Sequence, residues 1–240
     1  MSNFPYRPQE QPTAWIEGRT ADTAERERTF IRSVYGWMFG GLVLTALAAM
    51  WVVFSPAMQQ LIFGTPLRWV LLIGELGLVF YLSFRITKMS PATAASVFLV
   101  FSLLNGLTLS AIFFVYTTAS IYQAFFTAAA MFGAMSVYGM VTKRDLTSVG
   151  SFMFMGLIGI IICSVINIFL KSSALGFAIS FIGVFIFLGL TAYDTQKLKA
   201  YATAPQLREN LAVYGALALY LDFINLFLML LRLFGGGDRR

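Results

Sequence analysis

The sequence contains no histidine, one cysteine and few charged residues, and each shortage excludes a class of chemistry. Without histidine, neither an HExxH zinc site nor the serine–histidine pair of an intramembrane protease can form. Cys163 has no second cysteine to join, so an internal disulfide is excluded and packing is its expected role. No lysine lies inside an apolar run, which excludes a retinal-type Schiff base. No P-loop or dinucleotide-binding glycine pattern is present.

The composition indicates a membrane protein. Hydrophobic residues make up 58% of the 240 and charged residues 12%, with a mean hydropathy of +0.77, whereas about a quarter of the residues of a soluble domain are charged. Seven apolar runs leave no room for a soluble catalytic domain. We therefore predict an all-α membrane protein without enzymatic activity or cofactor, built as one seven-helix domain over residues 34–234.

The boundaries of the seven spans follow from the length of about 20 residues that a bilayer requires. The second span is the shortest and contains Glu75. The third and fourth come from one apolar region of about 50 residues, which is roughly twice one crossing and is divided at Thr117-Thr118. Six spans with a re-entrant segment is the alternative. The predicted spans are Val34–Phe54, Leu67–Phe84, Ala92–Tyr116, Ala119–Val141, Ser148–Leu170, Ser173–Tyr193 and Leu211–Leu231.

Residues 1–33 are predicted to form a mobile, polar, cytoplasmic leader. They hold five arginines, five acids and three prolines, a composition typical of disorder, with helix expected near residues 23–32. No short apolar core follows a basic start, so no cleavable signal is expected and the first span should serve as an anchor. Residues 235–240 form a glycine- and arginine-rich tail.

The distribution of lysine and arginine predicts the orientation. The leader and the loops on its side of the membrane carry 12 of these residues, and the opposite side carries 5. The positive-inside rule then places the N-terminus in the cytoplasm and the C-terminus across the membrane, although Arg232, Arg239 and Arg240 oppose this mildly. Anchoring of this kind explains the net charge of +6, so nucleic acid is not an expected partner.

Two acids in the last two spans are the strongest functional candidates. Asp222 lies near the middle of a run with no other charge, and Asp194 ends the preceding run. A hairpin turning around residues 205–210 would bring the two together. An intramembrane carboxylate is a functional candidate by default. Two carboxylates in one apolar pocket cannot both ionise cheaply, so this pair is the natural pH sensor of a chain without histidine.

The second span adds two further charged candidates. Glu75 lies inside it, and Arg85 follows its last residue. The second and sixth spans run toward the same membrane face, so Arg85 could pair with Asp194 and hold that carboxylate ionised.

Small and polar residues form stripes at helical spacing on three spans. In the last span, the stripe predicts that the helix face carrying Asp222 contacts protein or water rather than lipid. For the neutral stripes of the third and fifth spans we predict hydrogen bonds between helices. The three stripes are Gly215, Ala218, Asp222, Asn225 and Met229; Ser102, Asn105 and Thr108; and Ser164 with Asn167.

Two motifs carry a resemblance to a known family. LYLDFINLF at 219–227 is followed by LLR at 230–232, and YDTQ at 193–196 closes the sixth span. With these motifs the chain resembles the bacterial branch of the Bax inhibitor-1 family, also called the transmembrane Bax-inhibitor-motif family. The likeness extends over all seven spans.

The resemblance implies a seven-helix bundle with the C-terminal helix central, in a bacterial plasma membrane. It also implies a pH-sensitive calcium leak gated by paired aspartates, which match Asp194 and Asp222, with Arg85 as a latch and Glu75 as a residue of the ion path. Calcium prefers several oxygen ligands, so Asn225 could join the two aspartates as a transient ligand. Calcium is then the permeant ion.

Two other functions are weighed against the leak. A pair of membrane aspartates is also typical of an intramembrane aspartyl protease, but that family requires Gly-x-Gly-Asp and a later Pro-Ala-Leu. This chain has Leu219-Tyr220-Leu221-Asp222 and no such later segment. The other alternative is a regulator without ion flux that binds a membrane protease or acts in a stress or cell-death pathway, with the leader as its contact.

Overall fold

The computed structural model describes residues 13–85, 88–202 and 210–236. These residues form nine α-helices and no strand, which confirms the all-α prediction. The helices are α1 Thr13–Phe54, α2 Pro56–Phe63, α3 Leu67–Arg85, α4 Pro91–Leu109, α5 Ile112–Val115, α6 Thr118–Val141, α7 Thr147–Leu170, α8 Ser173–Ala202 and α9 Asn210–Phe234.

Seven spans are confirmed within the described parts of the chain. Each predicted apolar run coincides with a helix, or with α4 and α5 together, that is long and apolar enough to cross a membrane. The second span, predicted to be short, is a continuous helix of 19 residues. At 1.5 Å per residue this helix is about 28 Å long. The third span is interrupted at Ser110, whose hydroxyl donates to the carbonyl of Leu107.

Two helices extend beyond the predicted boundaries. Helix α1 begins at Thr13 rather than Val34, so residues 13–33 are helical and the predicted domain boundary at 33 lies inside α1. Residues 1–12 lie outside the described part, and the mobility of the leader stays a prediction. Helix α8 continues from Tyr193 to Ala202.

The extension of α8 has a physical reason. Thr195, Leu198 and Ala202 are buried, and this spacing continues the apolar face of the helix past its first charges. Lys197 and Lys199 lie in this extension of α8, beyond the predicted end of the sixth span at Tyr193. The expectation that no lysine lies inside a span stays a prediction.

At the starts of α4 and α7, side chains accept hydrogen bonds from backbone amides. Ser90 accepts from the amide of Thr93 and precedes Pro91, whose missing N–H costs nothing in a first helical turn. Between α6 and α7, the carboxylate of Asp145 accepts from the amide and the hydroxyl of Thr147. These two bonds lower the pKa of Asp145.

Helix α9 forms the centre of the bundle. It packs against α8, α6, α1 and α4, and 61% of its most apolar window is buried, against 44% for α8 and 6% for α7. Tyr220 is fully buried, with its ring 5.7 Å from the rings of Phe98 and Phe101. The predicted central position of the last helix is confirmed.

Helices α3 and α7 lie at the edge of the bundle. α3 packs mainly on α4, and α7 mainly on α8. Their outward faces carry large apolar side chains suited to lipid. Exposed examples are Ile73, Phe80, Phe84, Phe152, Ile161 and Phe169.

Candidate functional site

Asp194 and Asp222 line one cavity. Helices α8 and α9 lie against each other over much of their length, and a side chain at Gly215 would meet Leu198, which shows how closely they approach. Most of the predicted turn at residues 205–210 lies outside the described chain. The cavity has a volume of about 480 Å³, and the two carboxylates are close enough to interact electrostatically. We call it the acid cavity.

The walls of the acid cavity come from four helices. Its other lining residues include Ser83 of α3, Gly150 and Ser151 of α7, and Ala218 and Asn225 of α9. A side chain at Gly150 would meet the ring of Tyr193, so glycine permits α7 to approach α8 here. The predicted stripe of α9 thus faces the cavity at Ala218, Asp222 and Asn225.

Asp222 is the more deeply buried of the two acids. It is 5% exposed, whereas Asp194 is half-buried. The Oδ2 atom of Asp222 is buried without a hydrogen-bond partner among the described residues. A buried carboxylate oxygen without a donor is costly when charged. This atom is therefore suited to hold a proton or to meet a cation that enters the cavity.

Lys197 is the cation beside the acids, and sequence reasoning did not select it. It lines the acid cavity and interacts electrostatically with Asp194. Its Nζ atom lies 5.8 Å from the ring centres of Tyr193 and Tyr201 and 6.0 Å from that of Tyr214. Aromatic faces at these distances attract an ammonium group. The sequence held a partial signal, because Tyr193, Lys197 and Tyr201 are spaced four residues apart on one helix face.

Arg85 does not make the predicted contact. It is exposed at the end of α3, and no ion pair joins it to Asp194 in the described structure. Ser83, two residues earlier, is the α3 residue that reaches the acid cavity. The latch role of Arg85 stays a prediction.

Glu75 belongs to a second polar cluster, apart from the acid cavity. Its carboxylate accepts from the Thr108 hydroxyl at 2.8 Å and from Asn105 Nδ2 at 3.2 Å. Tyr220 donates its hydroxyl to Asn105 Oδ1 at 3.0 Å, and the oxygens of Tyr220 and Thr45 lie 2.6 Å apart. The cluster therefore joins α3, α4, α9 and α1. Hydrogen bonding between helices is confirmed for Asn105 and Thr108 of the third span's stripe, whereas the Ser102 hydroxyl donates to the carbonyl of Phe98 in its own helix.

The stripe of the fifth span forms local bonds instead. Ser164 donates to the carbonyl of Ile160, and Asn167 Oδ1 accepts from the amide of Ser172. For this stripe the prediction of bonds between helices is wrong, because the Ser164 hydroxyl and Asn167 Oδ1 pair with groups nearer along the chain, and the described structure has no bond from either side chain to another helix.

The acid cavity offers few metal ligands. The described residues contain no group of three or more acid, histidine or cysteine side chains that could hold a metal ion. The side-chain Nδ2 of Asn225 donates to the Leu221 carbonyl. The Oδ1 atom of Asn225 is not used in that bond and can accept from, or bind, another partner. Two carboxylates and one amide oxygen fall short of the six to eight oxygens that calcium prefers. An ion here would need water to complete its shell and would leave easily.

The fold and the site define a class of integral membrane protein in which the last two helices of a seven-helix bundle bring two acids to one cavity. A family pattern described as "Inhibitor of apoptosis-promoting Bax1" matches residues 27–239. The chain belongs to this family, which confirms the resemblance inferred from the two motifs.

Curated relatives agree with the family assignment. The inner membrane protein YbhL of Escherichia coli K12 is 51% identical over 214 residues, covering 87% of this chain and 92% of the relative. Uncharacterized protein RP147 of Rickettsia prowazekii is 42% identical over 226 residues, covering 93% and 95%. A protein of Deinococcus radiodurans is 42% identical over 219 residues, covering 90% and 94%. With the seven spans, these matches support a multi-pass bacterial inner membrane protein.

Proposed function

We propose that the protein is a pH-sensitive calcium leak channel in which Asp194 and Asp222 form the gate. The observation that carries the proposal is the cavity shared by the two acids, together with the Asp222 Oδ2 atom, which is buried without a donor among the described residues. Calcium would be held by the two carboxylates and Asn225 as a passing ion. Helix α9 lies at the centre of the bundle, so a change in its packing reaches four neighbouring helices.

Lys197 gives the gate a physical basis. With both acids ionised, the ammonium of Lys197 offsets part of their repulsion, and its three tyrosine rings hold it in place. Protonation of the pair reduces the attraction between the acids and Lys197 and weakens the hold on a divalent ion. The two protonation states therefore favour different packings of α8 against α9.

Calcium flux into dye-loaded liposomes tests this proposal. We expect the wild-type flux to vary between about pH 5 and 8, and the Asp194→Asn and Asp222→Asn variants to lose that variation, because neither can exchange a proton at the substituted site. The matched control is Asp145→Asn, which removes an acid outside the acid cavity. No flux at any pH, or an unchanged pH profile in both site variants, would overturn the proposal.

Regulation by binding is the second candidate, and α1 is the observation that favours it. Its 42 residues extend about 63 Å, roughly twice the thickness of the hydrocarbon core. Glu25, Arg26, Arg28 and Arg32 are exposed on the part that precedes the predicted first span. Deleting the leader, residues 1–33, removes these charges and distinguishes the two functions, since a lost partner with unchanged flux indicates a binding regulator and altered flux indicates a gate.

Proteolysis is less well supported. The residues before Asp222 are Leu219, Tyr220 and Leu221 where the protease motif has glycines, and Tyr220 is buried in the bundle core. A reporter helix left uncut by the purified protein would agree with this view.

A further inference from the structure

A second cavity lies at the opposite membrane face from Asp194. It has a volume of about 880 Å³ and is bounded by the end of α7, the start of α8 and the end of α9. Asp194 follows Ser173, the first residue of α8, by 21 positions, which corresponds to about 31 Å along the helix. We call this second cavity the basic cavity, and neither the leak nor its gate uses it.

The charge of the basic cavity is of one sign. Lys171 and Arg232 line it, and none of its lining residues in the described chain is acidic. Hydroxyl and amide groups of Tyr116, Asn167, Ser172 and Ser173 line the same cavity. Ser164 and Ser180 line it too, but their hydroxyls donate to carbonyls of their own helices. Two cations with neutral hydrogen-bond donors favour an anion over a cation or a neutral ligand.

Two side chains are oriented as donors. Asn167 accepts the Ser172 amide through Oδ1, so its Nδ2 donor points away from that bond and toward Gly176, where a Cβ atom would lie 3.4 Å from it. Ser172 accepts the Leu175 amide through its hydroxyl oxygen, which leaves its hydroxyl hydrogen for another acceptor. Because Gly176 has no side chain, the space beside Asn167 stays open.

The backbone at Lys171 is also unusual. Its φ angle is 50°, the only positive φ among the described residues. This left-handed conformation ends α7, and glycine usually occupies such positions because a side chain there is sterically unfavourable. A lysine at this position keeps a cation at the mouth of the basic cavity despite that cost.

The rim of the basic cavity faces lipid. Ile168 and Phe177 line it and are 68% and 62% exposed on membrane helices. A ligand here therefore meets cations and hydroxyls at one end and acyl chains at the other. Basic pockets between membrane helices bind acidic lipid headgroups through this combination.

We propose that the basic cavity binds the phosphate of an anionic phospholipid, with Lys171 and Arg232 as the charged contacts. Asn167 and Ser172 donate to the phosphate oxygens, and the acyl chains lie against Ile168 and Phe177. A free phosphate ion shares the headgroup chemistry but gains nothing from the apolar rim.

Native mass spectrometry of the full-length protein with phosphatidylglycerol or phosphatidylcholine tests the proposal. We expect the wild type to retain phosphatidylglycerol selectively, and the Lys171→Gln, Arg232→Gln double variant to bind it at least about tenfold more weakly, since it loses two charged hydrogen bonds. Arg68→Gln is the matched control, because it removes a cation at the same membrane face outside the basic cavity. Gly176→Leu fills the cavity without changing its charge and should also weaken retention.

Three results would overturn the proposal. One is equal retention of the two lipids by the wild type, and another is equal phosphatidylglycerol binding by the wild type and the double variant. The third is displacement of the lipid by inorganic phosphate at millimolar concentration, which would assign the cavity to a free anion. Retention that falls in both cavity variants and persists in Arg68→Gln would support it.

Discussion

At the scale of single residues, Lys197 has the most direct influence on the acid pair. Its ammonium is half-buried near Asp194 and lies within 6.0 Å of three tyrosine ring centres. A cation in this position makes it easier for the two carboxylates of the acid cavity to be charged together. The pH at which the cavity gains a proton therefore depends on Lys197 as well as on the acids.

Replacing Lys197 by glutamine is expected to move the midpoint of pH-dependent calcium flux upward by about one pH unit. The reason is that carboxylates without a neighbouring cation take up a proton more readily. Flux into liposomes at a series of pH values measures the midpoint.

Two controls accompany the Lys197 substitution. Lys197→Arg should keep the wild-type midpoint, because it retains the charge and the attraction to aromatic rings. Lys199→Gln removes the next lysine of α8, which donates to the carbonyl of Met140 instead, and should leave the midpoint in place. A wild-type midpoint in Lys197→Gln would show that the cation has no part in the gate.

The two acids were predictable from sequence, and their cation was not. Asp222 is evident without a structure because it lies in an otherwise uncharged apolar run, and Asp194 is evident because it ends the preceding run, where a hairpin brings it to Asp222. Lys197 was missed because hydropathy places the end of the sixth span at Tyr193, whereas the buried face of α8 continues to Ala202. Tyr214 could not be assigned to Lys197, because their contact depends on how α8 packs against α9.

At the scale of helices, α3 owes its position to few contacts. Its buried residues are Glu75 and Leu82, and it packs mainly on α4. Because lipid is as apolar as leucine, burial gives little attraction between membrane helices, and polar bonds carry more of it. The bonds from Glu75 to Asn105 and Thr108 are thus the main specific link between α3 and the bundle.

Replacing Glu75 by alanine is expected to lower the free energy of unfolding by about 1 to 2 kcal/mol, because Asn105 and Thr108 lose their acceptor. Glu75→Gln should retain most of the stability, since its amide oxygen can still accept one of these bonds. Chemical unfolding in detergent, followed by circular dichroism, measures the difference. Equal stability of the alanine variant and the wild type would show that α3 is held by other contacts.

The helices themselves were largely predictable, but their ends were not. Every apolar run corresponds to a membrane helix of the described structure, because length and hydropathy alone decide whether a segment can cross. The end of α8 at Ala202 depends on packing that hydropathy does not record, since its last turns bury Thr195, Leu198 and Ala202. The same holds for Arg85, whose predicted pairing with Asp194 assumed side-chain directions that a sequence does not specify.

At the scale of the whole molecule, the distribution of lysine and arginine predicts how the bundle is oriented in the membrane. Three membrane spans separate the loop at residues 64–66 from the loop at residues 142–146. The two loops therefore lie on opposite membrane faces. The positive-inside rule assigns the second loop, with Lys143 and Arg144, to the cytoplasm. The basic cavity would then face the outside.

Cysteine labelling in a Cys163→Ala background tests the orientation, because the sequence has no other cysteine. We expect a membrane-impermeant maleimide to label Thr65→Cys in intact spheroplasts and Lys143→Cys only after lysis. Both positions are exposed in the structure, so accessibility to the reagent is matched. The reverse labelling pattern would show that the orientation is opposite to the predicted one, with the leader outside.

The edge positions of α3 and α7 have a mechanical consequence. Ser83 and Gly150, on these two helices, form part of the wall of the acid cavity, and lipid covers the outer sides of both helices. The lateral pressure of the acyl chains therefore acts directly on these two helices, each of which packs mainly on one neighbour. In the proposed leak, membrane thickness would enter the free energy of opening the cavity, and lipid composition would then affect how far a given change in proton concentration moves the helices.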